Sequence, residues 1–325
     1  MKDKYIISVD MGGTKMLASV INSSKGIISR TKISTDLDKT ARDYVKDIAS
    51  LVKTLVDDVG LSNSQIVSVC LGVPGSVNPY TGIIGIAPNL GIKNFNIKKE
   101  LEKLIPYKVL IENDVNLGAL GIKHFGVGKK SKNILAVFIG TGIGGGLIIN
   151  DEIYRGSNFV AGEIGHILVD KNGPKCGCGR KGCFEALASR TAIVNNIIKD
   201  VKKDKKKSLL EKQIKANERI KSKSLLNAVQ KGDKVVINRL KEAAQITGQV
   251  LSGIQNLINF DMIVLGGGVI QALGKFYIPL IKEEFFKHAL EDSSKKLKIV
   301  QSKLGDDAAI YGGIALTKEF LGVQV

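Results

Sequence analysis

The chain has 325 residues, 44% hydrophobic and 24% charged, a globular composition long enough for two lobes with separate cores. The apolar run in its first residues, MKDKYIISVDMGG, is too short for a signal peptide. The uncharged stretch 133–150 contains five glycines and suits a β-hairpin better than a bilayer span. We therefore expect a cytoplasmic protein without membrane association, in a compartment that disfavours structural disulfides.

The net charge of +17 raises the question of a nucleic-acid partner. The stretch Lys199–Lys223 holds 11 Lys or Arg and 4 Asp or Glu, a net +7 of that total. It has no aromatic residue for base stacking and no glycine-rich loop. A solvated helical face is favoured over a nucleic-acid patch, and no nucleic-acid partner is predicted.

Strands and helices alternate along the first part of the chain. Apolar runs at 4–9 and 16–21 flank the glycine turn in DMGGTK, which indicates a strand–turn–strand unit. Residues 40–59 have helical spacing and end at Gly60. The patterns then predict strands at 65–73 and 108–113, and a helix at 114–125.

The second part continues the alternation. Long helical stretches cover about 186–260, followed by a strand at DMIVLG and a helix from Ile270 to Leu290. A strand at KLKIV and a final helix from Ala308 to Leu321 complete the chain. Alternating strands and helices in both halves predict an α/β architecture.

Two 17-residue segments share one pattern. Residues 6–22 and 134–150 each run from an apolar strand through a glycine turn to a second apolar strand and an Asn. Such a repeat suggests a duplicated fold, and glycine turns let backbone N–H groups approach an anion. Two turns facing across a cleft could hold a polyphosphate, although ordinary hairpin glycines would give the same letters.

Three of the four cysteines lie in CGCGRKGC, ten residues after a histidine. The spacing is His166-x9-Cys176-x-Cys178-x4-Cys183, and Gly177, Gly179 and Gly182 free the backbone to wrap around an ion. Three thiolates and an imidazole suit tetrahedral structural zinc. From the residues alone, zinc is favoured over a disulfide or a reactive thiol, which both stay open. Cys70, inside a predicted strand, is interpreted as a small core residue.

Several motifs occur together and in one order. They are DMGGTK (10–15), GVPGSVNPYTG (72–82), APNLG (87–91), END (112–114), GTGIGGG (140–146), GEIGH (162–166), CGCGRKGCFE (176–185) and LGGGV (265–269). With these motifs the chain resembles the ROK family of sugar kinases, in the actin–hexokinase superfamily, over nearly its whole length.

The resemblance implies a fold and a domain division. The fold would be the two-lobed actin-like ATPase (ribonuclease-H-like) α/β fold with a central cleft. The lobes would be 1–118, completed by the C-terminal helix 308–325, and 119–307, which carries the zinc-binding loop. The family also implies a homodimer.

The implied activity is ATP-dependent phosphorylation of a hexose, with glucose converted to glucose 6-phosphate. Asp114 would be the general base; the alternative for this residue is a helix N-cap. The residues that would bind sugar hydroxyls are polar: Asn89, Asn113, Glu163, His166 and Glu185. For Glu163 the alternative is a hydrogen bond to His166.

The implied cofactors are ATP, Mg²⁺ and a structural Zn²⁺. Asp10 would face the magnesium through water. The phosphates would be approached by Gly12, Gly13, Thr14 and Lys15 from one lobe and by Thr141 and Gly142 from the other. Gly266, Gly267 and Gly268, with 304–308, would serve the adenosine. Zinc would be held by His166, Cys176, Cys178 and Cys183, and this full set of ligands leaves no position for activating water.

One departure bears on the substrate. Many glucokinase-like relatives follow PNLG with an aromatic residue, whereas Ile92 stands here and the chain has no Trp. N-acetylmannosamine, N-acetylglucosamine, allose and fructose kinases share nearly all of these motifs and remain alternatives.

The sequence disfavours two other classes of protein. A ROK repressor would need a DNA-binding module before the first motif, and only nine residues precede Asp10. A glycoside hydrolase could use Glu163 and Glu185 as paired carboxylates, but it would have no use for two phosphate-type hairpins.

Overall fold

The structure, a computed structural model, describes residues 3–325. The chain forms two compact units. The first comprises the residues up to Lys130 together with Gly146–Ala161 and Asp306–Val325, and the second comprises Ser131–Gly145 and Gly162–Gly305.

The helices and strands follow one another in the alternation expected from the sequence. Up to residue 125 they are β1 (Tyr5–Met11), β2 (Lys15–Asn22), β3 (Gly26–Ser34), α1 (Ala41–Val59), β4 (Ile66–Val73), β5 (Ser76–Asn78), β6 (Ile83–Ala87), β7 (Ile92–Asn96), α2 (Ile97–Glu102), β8 (Lys108–Asn113) and α3 (Asp114–Phe125). Beyond it they are β9 (Ile134–Ile139), β10 (Ile143–Ile149), β11 (Glu152–Ile153), α4 (Phe184–Ala188), α5 (Arg190–Lys202), α6 (Glu211–Lys215), α7 (Ser222–Gln230), α8 (Lys234–Ile258), β12 (Met262–Gly266), α9 (Gly267–His288), α10 (Glu291–Ser294), β13 (Lys298–Gln301) and α11 (Ala308–Leu321).

The first sheet has the strand order β3-β2-β1-β4-β8. Strands β1, β4 and β8 are parallel, and the hairpin strands β2 and β3 add antiparallel partners at one side. Helix α1 packs on this sheet with Tyr44, Ile48 and Leu55 fully buried, because these residues recur at helical spacing on one face. Thr40 and Asp43 form a capping box at its start, and Gly60 ends it in the left-handed conformation.

The second sheet repeats the arrangement of the first, with the order β11-β10-β9-β12-β13. Strands β9, β12 and β13 are parallel. The two 17-residue segments therefore occupy equivalent places, since each supplies the central strand of its sheet and the neighbouring hairpin strand. A small antiparallel sheet, β5-β6-β7, was not predicted from the sequence.

Helix α11 returns to the first unit, where it packs against α3 and β1. This packing gives the units different bounds from the expected lobes, 1–118 with 308–325 and 119–307. Residues 119–130 belong to the first unit because α3 packs extensively against α11, and 146–161 belong to it as well.

Among residues 3–325, no helix is both long enough and apolar enough to cross a membrane.

Candidate active site

Two predicted carboxylates lie at the carboxyl ends of strands in the first sheet. Asp10 is near the end of β1, paired in register with Gly72 of β4, and Asp114 directly follows β8. Burial, followed by the negative charges of Asp114 and Asp306, raises the pKa of Asp10 to about 7, although Lys15 opposes the shift. The carboxyl of Asp10 is therefore held close to other acidic groups.

The N-cap of α3 is Asn113 and not Asp114. The Asn113 backbone is extended, and its Oδ1 accepts hydrogen bonds from the N–H groups of Val115 at 2.9 Å and Asn116 at 3.1 Å. Asp114 is the first helical residue, and its Oδ1 accepts from the Val115 N–H at 2.9 Å. The alternative that Asp114 is the cap is thus wrong, because the capping geometry needs the non-helical residue.

The sequence did not predict an ion-pair network of Glu112, Arg155 and Glu319 next to Asn113. The buried Glu112 carboxylate accepts from the Asn113 N–H at 2.9 Å, from the Asn116 amide at 3.1 Å and from Arg155 Nε at 2.6 Å. Arg155 also donates both Nη groups to Glu319 on α11, at 2.7 and 3.0 Å. Residues this far apart in sequence give no local signal for their pairing.

The first glycine turn joins β1 to β2. The Gly12 N–H donates to the Lys15 carbonyl at 2.9 Å, and the Thr35 hydroxyl donates to the Gly12 carbonyl at 2.6 Å. Thr14 is exposed at the tip, and Lys15 forms an ion pair with Asp306. The exposed Asn89 lies beside this turn, since its Cβ is 3.8 Å from the position a Cβ on Gly13 would take.

The histidine and three cysteines of the second unit converge. The nearest ligand atoms of His166, Cys176, Cys178 and Cys183 all lie within 4.8 Å of one another. The Cys178 and Cys183 sulfurs are 3.7 Å apart, and Cys176 Sγ is 3.7 Å from His166 Nδ1. Two thiolates at about 2.3 Å from a tetrahedral zinc would be separated by roughly 3.8 Å, so the cluster fits the ion. The cysteines are free, and the disulfide alternative is not what the structure has.

The loop geometry produces this convergence. Cys176 and Arg180 are bridged by a backbone hydrogen bond of 2.7 Å, and Gly182 has φ of +69°. A Cβ on Gly182 would lie 1.5 Å from the Asp170 carbonyl oxygen, so only glycine fits there. Backbone and side-chain hydrogen bonds from Arg180 lower the pKa of Cys178 to about 6, whereas burial raises the pKa values of Cys176 and Cys183. Hydrogen bonds from Arg180 thus favour the thiolate of Cys178, and thiolate is the form of cysteine that binds metal.

His166 and Glu185 lie at this cluster, and Glu185 also reaches the second glycine turn. His166 Nε2 is 3.8 Å from the exposed Glu163 carboxylate, too far for the hydrogen bond considered for Glu163. Glu185 Oε2 accepts from the Ile143 N–H at 2.9 Å, and its Oε1 is 3.9 Å from Cys176 Sγ. A Cβ on Gly142 would lie 2.1 Å from Glu185 Oε2, so a larger residue at this position would displace the end of the Glu185 side chain.

The remaining predicted nucleotide residues lie near the ends of β9 and β12. The Thr141 hydroxyl accepts from Arg190 Nη2 at 2.6 Å, and Gly266, Gly267 and Gly268 form the start of α9. Helix α9 begins at Gly267, three residues before the predicted Ile270.

The predicted residues divide between the two units. The first unit holds Asp10, Gly12, Gly13, Thr14, Lys15, Asn89, Asn113 and Asp114. The second holds Thr141, Gly142, Glu163, His166, Cys176, Cys178, Cys183, Glu185, Gly266, Gly267 and Gly268.

Comparison with known proteins gives the family. A family profile described as the ROK family matches residues 6–320. This chain belongs to the ROK family. A glucokinase of Halalkalibacterium halodurans is 31% identical over 98% of this chain and 96% of its own length.

Two solved structures of the ROK family superpose with a TM-score of 0.84. A ROK family glucokinase from Streptomyces griseus in complex with glucose and AMPPNP is 28% identical, over 97% of this chain and 99% of that one. A ROK family transcriptional regulator, a homologue of the Escherichia coli MLC protein, is 25% identical over 97% of this chain and 78% of its own. The α/β actin-like ATPase (ribonuclease-H-like) fold expected from the sequence is confirmed.

Proposed function

We propose that this ATP-dependent sugar kinase phosphorylates a hexose, with glucose as the preferred substrate and glucose 6-phosphate as the product. The observation that carries the proposal is the pair of carboxylates, Asp10 and Asp114, at the carboxyl ends of parallel strands in the first sheet. Similarity over the whole chain to a glucokinase, and to a structure with glucose and AMPPNP, supports the substrate class.

Asp114 acts as the general base in this proposal. Its carboxylate accepts the proton of the attacking sugar hydroxyl as the oxygen bonds to the terminal phosphorus of ATP, while the bond from that phosphorus to the bridging oxygen breaks and ADP leaves. The capping by Asn113 and the hydrogen bonds of Glu112 fix the start of α3, so that Asp114 is held in one place. A fixed base lowers the entropic cost of reaching the reactive geometry.

Asp10 suits a role towards magnesium. Burial and the negative charges of Asp114 and Asp306 raise the pKa of its carboxyl, and a divalent cation would stabilise the charged form against both. Magnesium bound with the nucleotide would neutralise charge on the transferring phosphoryl group. The backbone of the turn at Gly12, Gly13 and Thr14, with Lys15, would approach the phosphates.

Sugar hydroxyls are assigned to five polar side chains: Asn89, Asn113, Glu163, His166 and Glu185. Asn113 has a second task, because its Oδ1 caps α3 and its Nδ2 donates to the Gly75 carbonyl at 3.0 Å. One Nδ2 hydrogen is left for a ligand. With Nδ1 of His166 towards the cysteines, its Nε2 is the atom that would bond a hydroxyl.

Zinc is proposed as a structural ion held by His166, Cys176, Cys178 and Cys183. Four protein ligands close a tetrahedral shell, so the ion would fix the loop and would not take part in the chemistry. Glu185 connects this loop to the second glycine turn through the Ile143 N–H. An ordered loop would therefore hold the side chains of His166 and Glu185 in position.

The variant Asp114→Asn tests the catalytic assignment. The amide keeps the size of the side chain and Asn113 still caps α3, so folding should be unchanged. Loss of the proton acceptor should lower kcat for glucose by about 10²- to 10⁴-fold, with a modest change in KM. The exposed Asp58→Asn on α1 removes the same charge elsewhere and should keep wild-type rates. A folded Asp114→Asn protein that retains more than about a tenth of wild-type kcat contradicts the assignment.

A further inference from the structure

The glycines at the start of α9, Gly266, Gly267 and Gly268, were expected to serve the adenosine, but two polar side chains beside them, Arg190 and Ser222, have no role in the function described so far. Helix α9 runs for 22 residues, its N-cap Gly266 provides no side-chain cap, and its first turn contains no acidic residue. The first N–H groups of a long helix attract anions. This end of the helix is therefore electropositive and without a side-chain acceptor.

A buried hydroxyl lies at the same point. Ser222, the first residue of α7, is only 8% exposed, and its Oγ has no hydrogen-bond partner among residues 3–325. Its Oγ lies 3.8 Å from the position of a Cβ on Gly268, in the first turn of α9. A buried hydroxyl without a partner is costly, which points to an acceptor that is absent from the free protein.

A guanidinium completes the group. Arg190 Nη1 lies 3.9 Å from the same Gly268 position, and Nη2 donates to the Thr141 hydroxyl of the second glycine turn at 2.6 Å. Among the described residues 3–325, no carboxylate forms an ion pair with Arg190. Burial and then the positive charge of Arg219 lower the pKa of Arg190, as expected for a cation that lacks its anion. Most of its five N–H donors remain for a ligand.

We propose that Arg190 and Ser222 bind a phosphate oxygen of the nucleotide at the N-terminus of α9. This inference rests on the proposed function, which supplies a nucleoside di- or triphosphate as the ligand. Arginine suits phosphate because its planar donors match two oxygens at once. Through Thr141, Arg190 also couples the phosphate contact to the second glycine turn.

Isothermal titration of MgADP into the full-length protein tests the inference. Arg190→Gln should weaken binding by about tenfold to a hundredfold, because a charge-assisted hydrogen bond is lost, and Arg190→Lys should lose less. Lys199→Gln, which removes an exposed charge from the same helix α5, should stay within about twofold of wild type.

Ser222→Ala separates a binding role from a structural one. Removal of an unpartnered buried hydroxyl should leave the thermal stability of the nucleotide-free protein unchanged or higher, while MgADP binding weakens by about threefold to tenfold. A structural role would lower the stability instead. Wild-type MgADP affinity in folded Arg190→Gln and Ser222→Ala proteins overturns the inference.

Measurements of MgADP binding and of sugar phosphorylation together separate the Arg190 and Ser222 contact from the proposed sugar kinase function. A wild-type protein that binds MgADP through Arg190 but phosphorylates no hexose would overturn the function and leave the nucleotide contact standing. A protein that phosphorylates a hexose, and whose MgADP affinity is unchanged in both variants, would overturn the nucleotide contact and leave the proposed function standing. A wild-type protein that binds no MgADP overturns both.

Discussion

At the scale of single residues, Asp10 combines its proposed role towards magnesium with a cost in stability. Its carboxyl is buried beside two other acidic side chains, which makes the charged form unfavourable in the folded protein. The DMGGTK motif identifies Asp10 in the sequence. Its raised pKa could not be predicted there, because it depends on Asp114 and Asp306, which only the fold brings near.

The variant Asp10→Asn should be more stable than wild type in magnesium-free buffer at pH 8. The unfolded chain loses this proton near 3.8, the ordinary pKa of an aspartate, and the folded protein only at about 7, so wild-type stability falls as pH rises between these values. Because the amide stays neutral, the variant avoids this loss, and its free energy of unfolding at pH 8 should exceed that of wild type by a few kcal/mol. The difference should shrink towards pH 4. Thermal unfolding at both pH values, with the exposed Asp58→Asn as control, measures it. An equal or lower Tm at pH 8 would count against the carboxylate cluster.

At the scale of helices, strands and loops, the sequence predicted the regular elements better than their irregular neighbours. Helix α1 and the strands of both glycine hairpins lie where the periodicity indicated. Strand β3 was missed because its residues alternate between partly and fully exposed, as an edge strand allows. The start of α9 at Gly267 was missed because three successive glycines indicate a loop. In the structure Gly267 has φ of +84° and packs closely against the backbone of Ile139.

The proposed zinc-binding loop can be tested as one element. Purified protein should contain one zinc per chain, and Cys178→Ser or chelation should remove it. The loss of loop order should raise KM for sugar by about tenfold to a hundredfold through His166 and Glu185, with a smaller effect on nucleotide affinity. The control variant Cys70→Ser removes a buried thiol outside the cluster, and this protein should still contain one zinc per chain. Zinc-free protein with an unchanged sugar KM would show that the loop does not position these residues.

At the scale of the whole molecule, the two sheets have equivalent strand orders, and each presents a glycine turn beside its central strand. The repeat of pattern in the sequence was sufficient to predict this duplication, because hairpins and parallel strands leave distinct apolar runs. The unit boundaries were not predictable in the same way. They depend on the packing of α3 against α11, two helices far apart in the chain order.

The proposed activity is transfer of the terminal phosphoryl group of ATP to a hexose. The most direct measurement is ADP release over glucose, fructose, allose, N-acetylglucosamine and N-acetylmannosamine, with magnesium present and Asp114→Asn as the matched blank. We predict turnover on at least one of these sugars, fastest on glucose, with sugar phosphate formed in equal amount to ADP and almost none with the variant. ADP release on none of the sugars would contradict the account, and fastest turnover on another sugar would replace glucose as the substrate.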